Sequence, residues 1–101
     1  MLDLTAISGF DWDGGNVRKS LEKHGVEMRE AEEIFGDPQL ALARDIEHSV
    51  VEDRYHAFGA TSEGRLLHVS FTLRANGTLI RVISARDMSR SERRGYAEEG
   101  H

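Results

Sequence analysis

Residues 54–86 read RYHAFGATSEGRLLHVSFTLRANGTLIRVISAR, and this stretch decides the fold because turn signals separate segments with the alternation of strands. Asn76-Gly77 is a strong signal for a two-residue hairpin turn, since both positions of that turn need a positive φ. The segments on either side of it therefore pair as antiparallel strands. Glu63-Gly64 predicts a second hairpin of the same kind just before the first.

Closing the first hairpin at Asn76-Gly77 predicts the register of its two strands. One face is then apolar, with the pairs Leu73–Ile80, Phe71–Val82 and Val69–Ser84. The other face is polar, with the pairs Thr72–Arg81, Ser70–Ile83 and His68–Ala85, and with Arg74 at its rim. Closing the second hairpin at Glu63-Gly64 places Phe58 beside Val69 on the apolar face and Tyr55 beside Thr72 on the polar face.

The segments before this stretch predict a short strand, two helices and a further strand. Phe10-Asp11-Trp12-Asp13 alternates like a strand with its aromatic residues facing inward. A helix is expected from about 16 to 24, where Lys23-His24-Gly25 is a stop signal. A second helix is expected over about 28–35, and Leu40-Ala41-Leu42-Ala43 reads as a strand.

The C-terminal end predicts one more helix. Ser89 and Glu92 have the spacing of a capping box, so the helix should begin near Arg90. The order of elements is therefore a short N-terminal strand, two helices, an antiparallel meander of about four strands and a C-terminal helix. This is the order of an α+β fold, and we expect residues 1–101 to form a single domain.

Composition narrows the classes of function. Hydrophobic residues make up 39% and charged residues 31% of the 101 residues, which is typical of a globular chain. The chain has no cysteine, so disulfides and thiolate metal sites are excluded. We expect neither a metal nor a cofactor. No apolar run approaches the roughly 18 residues of a membrane helix, and no signal-peptide pattern is present, so a cytoplasmic location is expected.

Charge is distributed unevenly along this acidic chain. The formal net charge is −5, but residues 1–53 carry −8 and residues 54–96 carry +5. Such asymmetry allows a local anion site on a protein that is acidic as a whole. Such a site forms only if the acidic and basic halves stay apart in the folded protein. If the two halves interleave, their opposite charges cancel locally.

The polar sheet face is the first candidate site. Its predicted members are Arg81, Arg74, Thr72, Tyr55, His68 and Ser70. Arginine forks match phosphate oxygens, so Arg81 and Arg74 would stabilise the charge that develops during RNA cleavage. Tyr55 or His68 would transfer protons to or from the reacting oxygens. The alternative is an ordinary solvated face of an antiparallel sheet.

Two further clusters of cations allow both a functional and a structural interpretation. Arg90, Arg93 and Arg94 begin the last helix, where positive charge opposes the helix dipole, so a phosphate or an acidic protein partner would stabilise them. Lys23 and His24 end the first helix. In the functional interpretation they supply a cation and a proton carrier to a site. In the structural interpretation their positive charge complements the negative end of the helix dipole.

Several motifs, in their order and spacing over about residues 8–98, resemble the BrnT family of type II toxins. They are Phe10-Asp11-Trp12-Asp13, Lys23-His24-Gly25-Val26, Glu30-Ala31 to Phe35 with Asp37-Pro38, Glu52-Asp53-Arg54-Tyr55 with Gly59, Arg81-Val82-Ile83-Ser84-Ala85-Arg86 and Glu92-Arg93-Arg94-Gly95-Tyr96. Gly95 departs from the family pattern, where a bulkier residue is common. It should cost about 1 kcal/mol of helix stability relative to alanine.

The resemblance implies a small ribonuclease toxin with a RelE-like α+β fold. It also implies a BrnA-like antitoxin with a ribbon-helix-helix part, through which the complex contacts operator DNA. Basic side chains of the family correspond here to Lys23, Arg54, Arg74, Arg81 and Arg86. The predicted register leaves Arg54 and Arg86 at the far edge of the apolar face, so either they form salt bridges there or the register is wrong.

Two hypotheses from different classes follow. The first is a metal-independent endoribonuclease that cleaves RNA through attack of the 2′-hydroxyl and inhibits growth. The second is a catalytically inactive module that docks an antitoxin and acts in operon regulation. Arg81 should be needed for cleavage and dispensable for docking, and Arg90, Arg93 and Arg94 should show the opposite pattern.

Overall fold

The computed structural model describes residues 2–99 and contains one five-stranded sheet. The strands are β1 (Gly9–Phe10), β2 (Ala41–Arg44), β3 (Arg54–Ala60), β4 (Leu66–Arg74) and β5 (Leu79–Asp87). The α-helices are α1 (Gly14–His24), α2 (Met28–Glu33) and α3 (Arg90–Glu99). Short 3-10 helices span Leu4–Ala6 and Ile34–Gly36.

The sheet confirms the predicted α+β layout. Strands β2 to β5 form an antiparallel meander, and β1 adds to its far side in parallel with β5, giving the order β1-β5-β4-β3-β2. The C-terminal helix α3 follows the meander as expected. In the described part of the chain, no helix has the length and apolar character needed to cross a membrane.

One face of the sheet forms the core and will be called the core face. Its fully buried side chains include Ala57, Leu67, Val69, Phe71, Ile80, Val82 and Ala85. Val26, Ala31 and Ile34 pack against them from α2 and its flanking turns. The ring of Phe35 meets Phe71 edge-on at a centroid distance of 5.3 Å, a preferred geometry for aromatic pairs.

The register of the β4–β5 hairpin is as predicted only near its turn. The pairs from Arg74–Leu79 to Phe71–Val82 match the prediction. A β-bulge follows, in which Ile83 is the extra residue of β5. Beyond it the pairs are Ser70–Ser84, Val69–Ala85 and His68–Arg86, so the predicted pairs Val69–Ser84, Ser70–Ile83 and His68–Ala85 are wrong by one residue.

Helix α1 provides the physical reason why β5 accommodates this bulge. The buried amide of Asn16 donates to the Val82 carbonyl, and the Ser20 hydroxyl accepts from the Ala85 amide. These bonds satisfy backbone groups on the outer edge of β5 beyond its short pairing with β1. Buried backbone groups need such partners, so α1 stabilises the irregular strand.

The β3–β4 hairpin also differs from the prediction by one residue. Thr61 N–H donates to the Arg65 carbonyl, which leaves a three-residue loop with Gly64 at φ 87°. Three-residue loops with a glycine in the left-handed region are common hairpin connections. The extra loop residue pairs Tyr55 with Phe71 and Phe58 with His68. The predicted pairs Tyr55–Thr72 and Phe58–Val69 are therefore wrong.

The helix ends follow the local sequence signals. Asp13 caps α1 in a capping box with Asn16, so the helix begins at Gly14, earlier than predicted. Gly25 ends it in the left-handed conformation, as expected. The N-terminal strand, predicted over Phe10-Asp11-Trp12-Asp13, spans only Gly9–Phe10 because the cap of α1 begins at Asp13. Trp12 lies between the strand and the helix, and its indole N–H donates to Glu32.

Candidate phosphate-binding site

The face of the sheet opposite the core will be called the polar face. The cross-strand pairs arrange its side chains in three rows, each contributed by β3, β4 and β5. The first row is Arg54, Thr72 and Arg81; the second is His56, Ser70 and Ser84; the third is Phe58, His68 and Arg86. Successive rows are about 7 Å apart, since side chains on one face recur every second residue.

The first row opens into a cleft with three arginines. Arg54, Arg74 and Arg81 reach it from β3, β4 and β5, and the volume of the cleft is about 450 Å³. Lys19 of α1 lines it as a fourth cation, and two carboxylates, Asp13 and Glu52, complete its charged wall. Adjacent strands thus hold three guanidinium groups against one space, which is the geometry that a multiply charged anion requires.

Two of the three arginines are paired within the chain. Arg81 Nη2 lies 2.8 Å from Asp13 Oδ2, and Arg74 Nη1 lies 2.8 Å from Glu52 Oε2. The backbone N–H of Asn16, followed by the Arg81 guanidinium, lowers the pKa of Asp13. Asp13 therefore has two roles, since it caps α1 and holds Arg81 in place.

Arg54 differs from its two neighbours in the cleft. It has no carboxylate partner among the described side chains, and its buried Nε has no hydrogen-bond partner. A buried donor without a partner costs free energy. Arg54 is therefore the cleft arginine that no carboxylate among the described side chains holds.

The second and third rows contain two hydrogen-bonded histidines with a carboxylate beside one of them. Asp45 Oδ2 lies 3.3 Å from His56 Nε2, and His56 Nδ1 lies 2.8 Å from His68 Nε2. The hydroxyl of Ser70 lies 3.3 Å from the same His56 Nδ1. The Asp45 carboxylate also contacts His48 Nδ1, at 2.9 Å, so it lies beside both imidazoles and is a charged neighbour of His56 as a candidate proton carrier.

His68 lies deeper than His56. Its ring stacks on Phe58 with centroids 4.8 Å apart, and it retains only 8% of its exposed surface. Burial, together with the nearby charge of Arg86, lowers the pKa of His68 to about 4. His68 is therefore neutral near pH 7 and is placed to support His56 more readily than to touch a ligand itself.

Arg86 lies on the polar face because of the bulge, not at the edge of the apolar face. It forms a two-pronged ion pair with Glu92, with both N–O distances at 2.9 Å. The Arg86 guanidinium, with the backbone N–H of Ser89, lowers the pKa of Glu92 to about 2. This pair ties β5 to the start of α3, two rows away from the arginine cleft.

The structure does not bring Tyr55 or Lys23 to the cleft. Tyr55 lies on the core face, where its ring stacks on Phe71 at a centroid distance of 5.4 Å, because the three-residue loop shifts the register of β3. Lys23 is exposed in the last turn of α1, while the cleft lies at the other end of that helix. Lys19, one turn earlier, lines the cleft instead.

The arginines of α3 form a separate group. Arg90, Arg93 and Arg94 are all exposed. Arg93 donates to the Met88 carbonyl, whereas Arg90 and Arg94 have no carboxylate within ion-pair distance among the described side chains. The structure therefore divides the predicted cations into a cleft group on the sheet and a surface group on α3.

Sequence reasoning missed His56, Lys19, Asp13 and Glu52 as members of the site. The alternation of β3 could have revealed His56, because it stands two residues after Arg54 and so shares its face. The carboxylates could be found only from the tertiary structure. Among residues 2–99, no group of three or more His, Asp or Glu side chains is arranged to hold a metal ion.

Comparison with known proteins identifies one family. A family model described as the ribonuclease toxin, BrnT, of type II toxin–antitoxin systems matches residues 12–92. The matched region contains the whole meander, the arginine cleft and the Arg86–Glu92 ion pair. No curated protein matches the chain.

Proposed function

The chain belongs to the BrnT family of ribonuclease toxins of type II toxin–antitoxin systems, and we propose that it cleaves RNA at the cleft of Arg54, Arg74 and Arg81. The convergence of these three arginines from three adjacent strands is the observation that carries the proposal. Guanidinium groups bind phosphate oxygens through paired hydrogen bonds and stay charged at any working pH. A phosphodiester is the substrate group that fits this cleft.

Binding of a phosphate at the cleft would begin at Arg54. This guanidinium has no carboxylate partner among the described side chains, whereas Arg81 and Arg74 are held by Asp13 and Glu52. An entering phosphate would compete with the two carboxylates for the two arginines. The two carboxylates lower the positive charge of the cleft and hold these two guanidinium groups in position, whereas Arg54 and Lys19 leave the cleft with an excess of positive charge.

Cleavage through the 2′-hydroxyl requires stabilisation of the phosphorane and transfer of two protons. The arginines would supply the charge stabilisation without a metal ion. His56 lies in the row next to Arg54, about 7 Å away along β3, and its Nε2 lies 3.3 Å from the Asp45 carboxylate. We assign proton transfer to His56, with His68 and Ser70 as positioning residues, and we no longer assign it to Tyr55.

The test is cleavage of a defined RNA by purified protein in EDTA, with analysis of the 3′ ends. We expect 2′,3′-cyclic phosphate ends and no cleavage of the matching DNA. Arg54→Ala and Arg81→Ala should each lower the rate by roughly 100-fold or more, as expected for loss of a charge-stabilising donor. Arg29→Ala is the matched control, because Arg29 is exposed on α2 and pairs with Glu33 away from the polar face. Activity that depends on metal, or survives in Arg54→Ala, would contradict the proposal.

A second candidate function, a binding module without catalysis, is favoured by the internal pairing of Arg81 and Arg74. Paired arginines can serve stability alone. In that case the exposed arginines of α3 would still contact a BrnA-like ribbon-helix-helix antitoxin, and operator DNA would be contacted only through that partner. A folded protein that binds its antitoxin but cleaves no RNA, including during translation in the cytoplasm, would favour this function.

A further inference from the structure

We propose that a pocket at the β2–β3 connection, residues 45–53, receives the nucleobase beside the phosphate that is cleaved, and that Glu47 selects guanine there. The inference rests on the proposed function, because it names the base that accompanies the phosphodiester in the arginine cleft. It deepens that function by giving the substrate a sequence preference. Because it concerns binding, it can be tested on nucleotides that the protein does not cleave.

The pocket adjoins the arginine cleft and will be called the base pocket. Its volume is about 410 Å³, and its lining residues are Glu47, His48, Val50, Val51, Glu52 and Arg54. Glu52 and Arg54 also line the arginine cleft, so the two spaces meet at these side chains. In a nucleotide a single sugar separates the phosphate from the base, and a base site must therefore adjoin the phosphate site. The base pocket meets this condition.

Polar contacts hold the β2–β3 connection against the sheet. The Ser49 hydroxyl donates to the Asp45 carbonyl at 2.5 Å and accepts from the backbone N–H of Arg54 at 3.0 Å. Near the other end of the connection, the Thr72 hydroxyl donates to the Asp53 carbonyl at 2.7 Å. A segment that is already held in place loses less conformational freedom when a ligand binds. The base pocket is therefore a preformed feature of the fold.

Two apolar side chains of the base pocket are open to solvent. Val50 and Val51 are 89% and 96% exposed, although polar contacts hold the connection on either side of them. A nucleobase that is held outside a base stack packs against aromatic or apolar side chains. Two adjacent valines on the wall of a space beside a cationic cleft supply such a surface.

The base pocket contains two groups of opposite charge that do not pair with each other. Glu47 and Arg54 both line it, and neither has an ion-pair partner among the described side chains. A ligand that contacts both must present an anion to Arg54 and hydrogen-bond donors to Glu47. A nucleotide does so, because its phosphate is anionic and its base carries N–H groups. An acidic peptide would instead place like charge against Glu47.

The Glu47 carboxylate favours guanine among the four RNA bases. An ionised carboxylate has two acceptor oxygens and no donor. Guanine presents neighbouring N–H donors at N1 and N2 on its Watson–Crick edge and can bind both oxygens, whereas adenine and cytosine present one amino group beside an acceptor nitrogen. The N3–H of uracil lies between two carbonyl oxygens, which a carboxylate repels. We therefore expect guanine to bind best and uracil to bind least.

The experiment measures binding of the four nucleoside 3′-monophosphates by the full chain in an NMR titration, since each probe carries one phosphate and one base. We expect guanosine 3′-monophosphate to bind at least about 10-fold more tightly than uridine 3′-monophosphate. Glu47→Gln should reduce this ratio to about threefold or less, because an amide offers one acceptor oxygen in place of two. The methyl resonances of Val50 and Val51 should shift with guanosine 3′-monophosphate and not with inorganic phosphate.

Glu63→Gln is the matched control and should keep the full ratio, because Glu63 is exposed in the loop at the opposite end of β3. Equal affinity for the four nucleotides, no binding of any of them, or an unchanged ratio in Glu47→Gln overturns the inference. A guanosine preference that depends on Glu47, in a protein that cleaves no RNA, would contradict the proposed function and leave the base pocket supported. Cleavage of RNA without a base preference in binding would overturn the inference alone.

Discussion

The Nε2 atom of His68 lies 2.8 Å from the Nδ1 atom of His56, so the two histidines of the polar face form one hydrogen-bonded pair. The Asp45 carboxylate lies 3.3 Å from His56 Nε2 and so favours the tautomer with the proton on that nitrogen, which leaves His56 Nδ1 as the acceptor for His68 Nε2–H. His68 is thereby neutral, with its buried Nδ1 unpartnered. Protonation of His68 would place a buried charge close to Arg86.

The first prediction concerns stability at acid pH. Because the pKa of His68 falls from 6.5 to about 4 on folding, the unfolded chain binds the proton more tightly. The contribution of His68 is fully present above pH 6.5 and is lost as the pH falls to about 4. Urea unfolding should show that His68→Gln loses less stability over this range than the unaltered chain, by on the order of 2 kcal/mol. Identical pH profiles for His68→Gln and the unaltered chain would contradict the prediction.

The second prediction concerns Asp13. Asparagine caps helices about as well as aspartate, so Asp13→Asn should leave the stability of α1 nearly unchanged. It removes the nearer of the two carboxylates beside Arg81, since Asp11 lies 3.6 Å away on the other side of the guanidinium. The cleft should then bind a deoxyoligonucleotide, which cannot be cleaved through a 2′-hydroxyl, several-fold more tightly. Fluorescence anisotropy at fixed salt measures this affinity. Asp53→Asn, which breaks the exposed Arg44 pair instead, should have little effect.

The third prediction concerns Tyr55. Its ring packs on Phe71 on the core face, so its hydroxyl is not available to a substrate on the polar face. Tyr55→Phe keeps the ring and should cleave RNA within about twofold of the unaltered rate, whereas His56→Gln should lower the rate by roughly 100-fold. A large loss in Tyr55→Phe under single-turnover conditions would show that proton transfer was assigned to the wrong face.

The fourth prediction compares two glycines. A Cβ at Gly59 would stand 3.0 Å from both the Cβ and the carbonyl oxygen of Ile34, so Gly59→Ala should destabilise the fold by roughly 1–3 kcal/mol. A Cβ at Gly95 meets nothing within 4 Å, and Gly95→Ala should stabilise α3 by up to about 1 kcal/mol. Thermal unfolding of the two variants gives both values. A stable Gly59→Ala variant would mean that β3 and the 3-10 helix at Ile34 can separate at little cost.

The fifth prediction concerns Glu92, which accepts from Arg86 and from the Ser89 amide. Glu92→Gln should cost roughly 1–2 kcal/mol, because the ion pair is lost and the cap is weakened. The pKa of Glu92 falls from 4.5 to about 2 on folding, so its contribution is present above pH 4.5 and is lost as the pH falls towards 2. Denaturation at pH 7 and pH 3 should show a smaller difference between the two proteins at pH 3. Glu98→Gln is the exposed control on the same helix.

The sequence by itself determined the features that depend on neighbouring residues. The order of helices and strands follows from the spacing of apolar residues, and the cap of α3 follows from Ser89 and Glu92. The glycine that ends α1 and the register next to Asn76-Gly77 are equally local. Each of these rests on contacts within about four positions in the chain, so the residues that specify them can be read together.

Only the tertiary structure decided which side chains share the polar face. One extra residue in the Ser62–Gly64 loop turns Arg54 towards the cleft and Tyr55 away from it, because a slip of one residue exchanges the two faces of a strand. The bulge at Ile83 brings Arg86 to the same face as Arg81, and it is stabilised by Asn16 and Ser20 of a helix more than 60 residues earlier in the chain.

The pairing of the cleft arginines is likewise a tertiary property. Arg81 meets Asp13 across 68 positions and Arg74 meets Glu52 across 22. The sequence showed that cations gather in its second half, but a charge count does not say which of them meet carboxylates from the first half. That depends on which elements fold side by side, and here folding leaves Arg54, Arg90 and Arg94 without such partners among the described side chains.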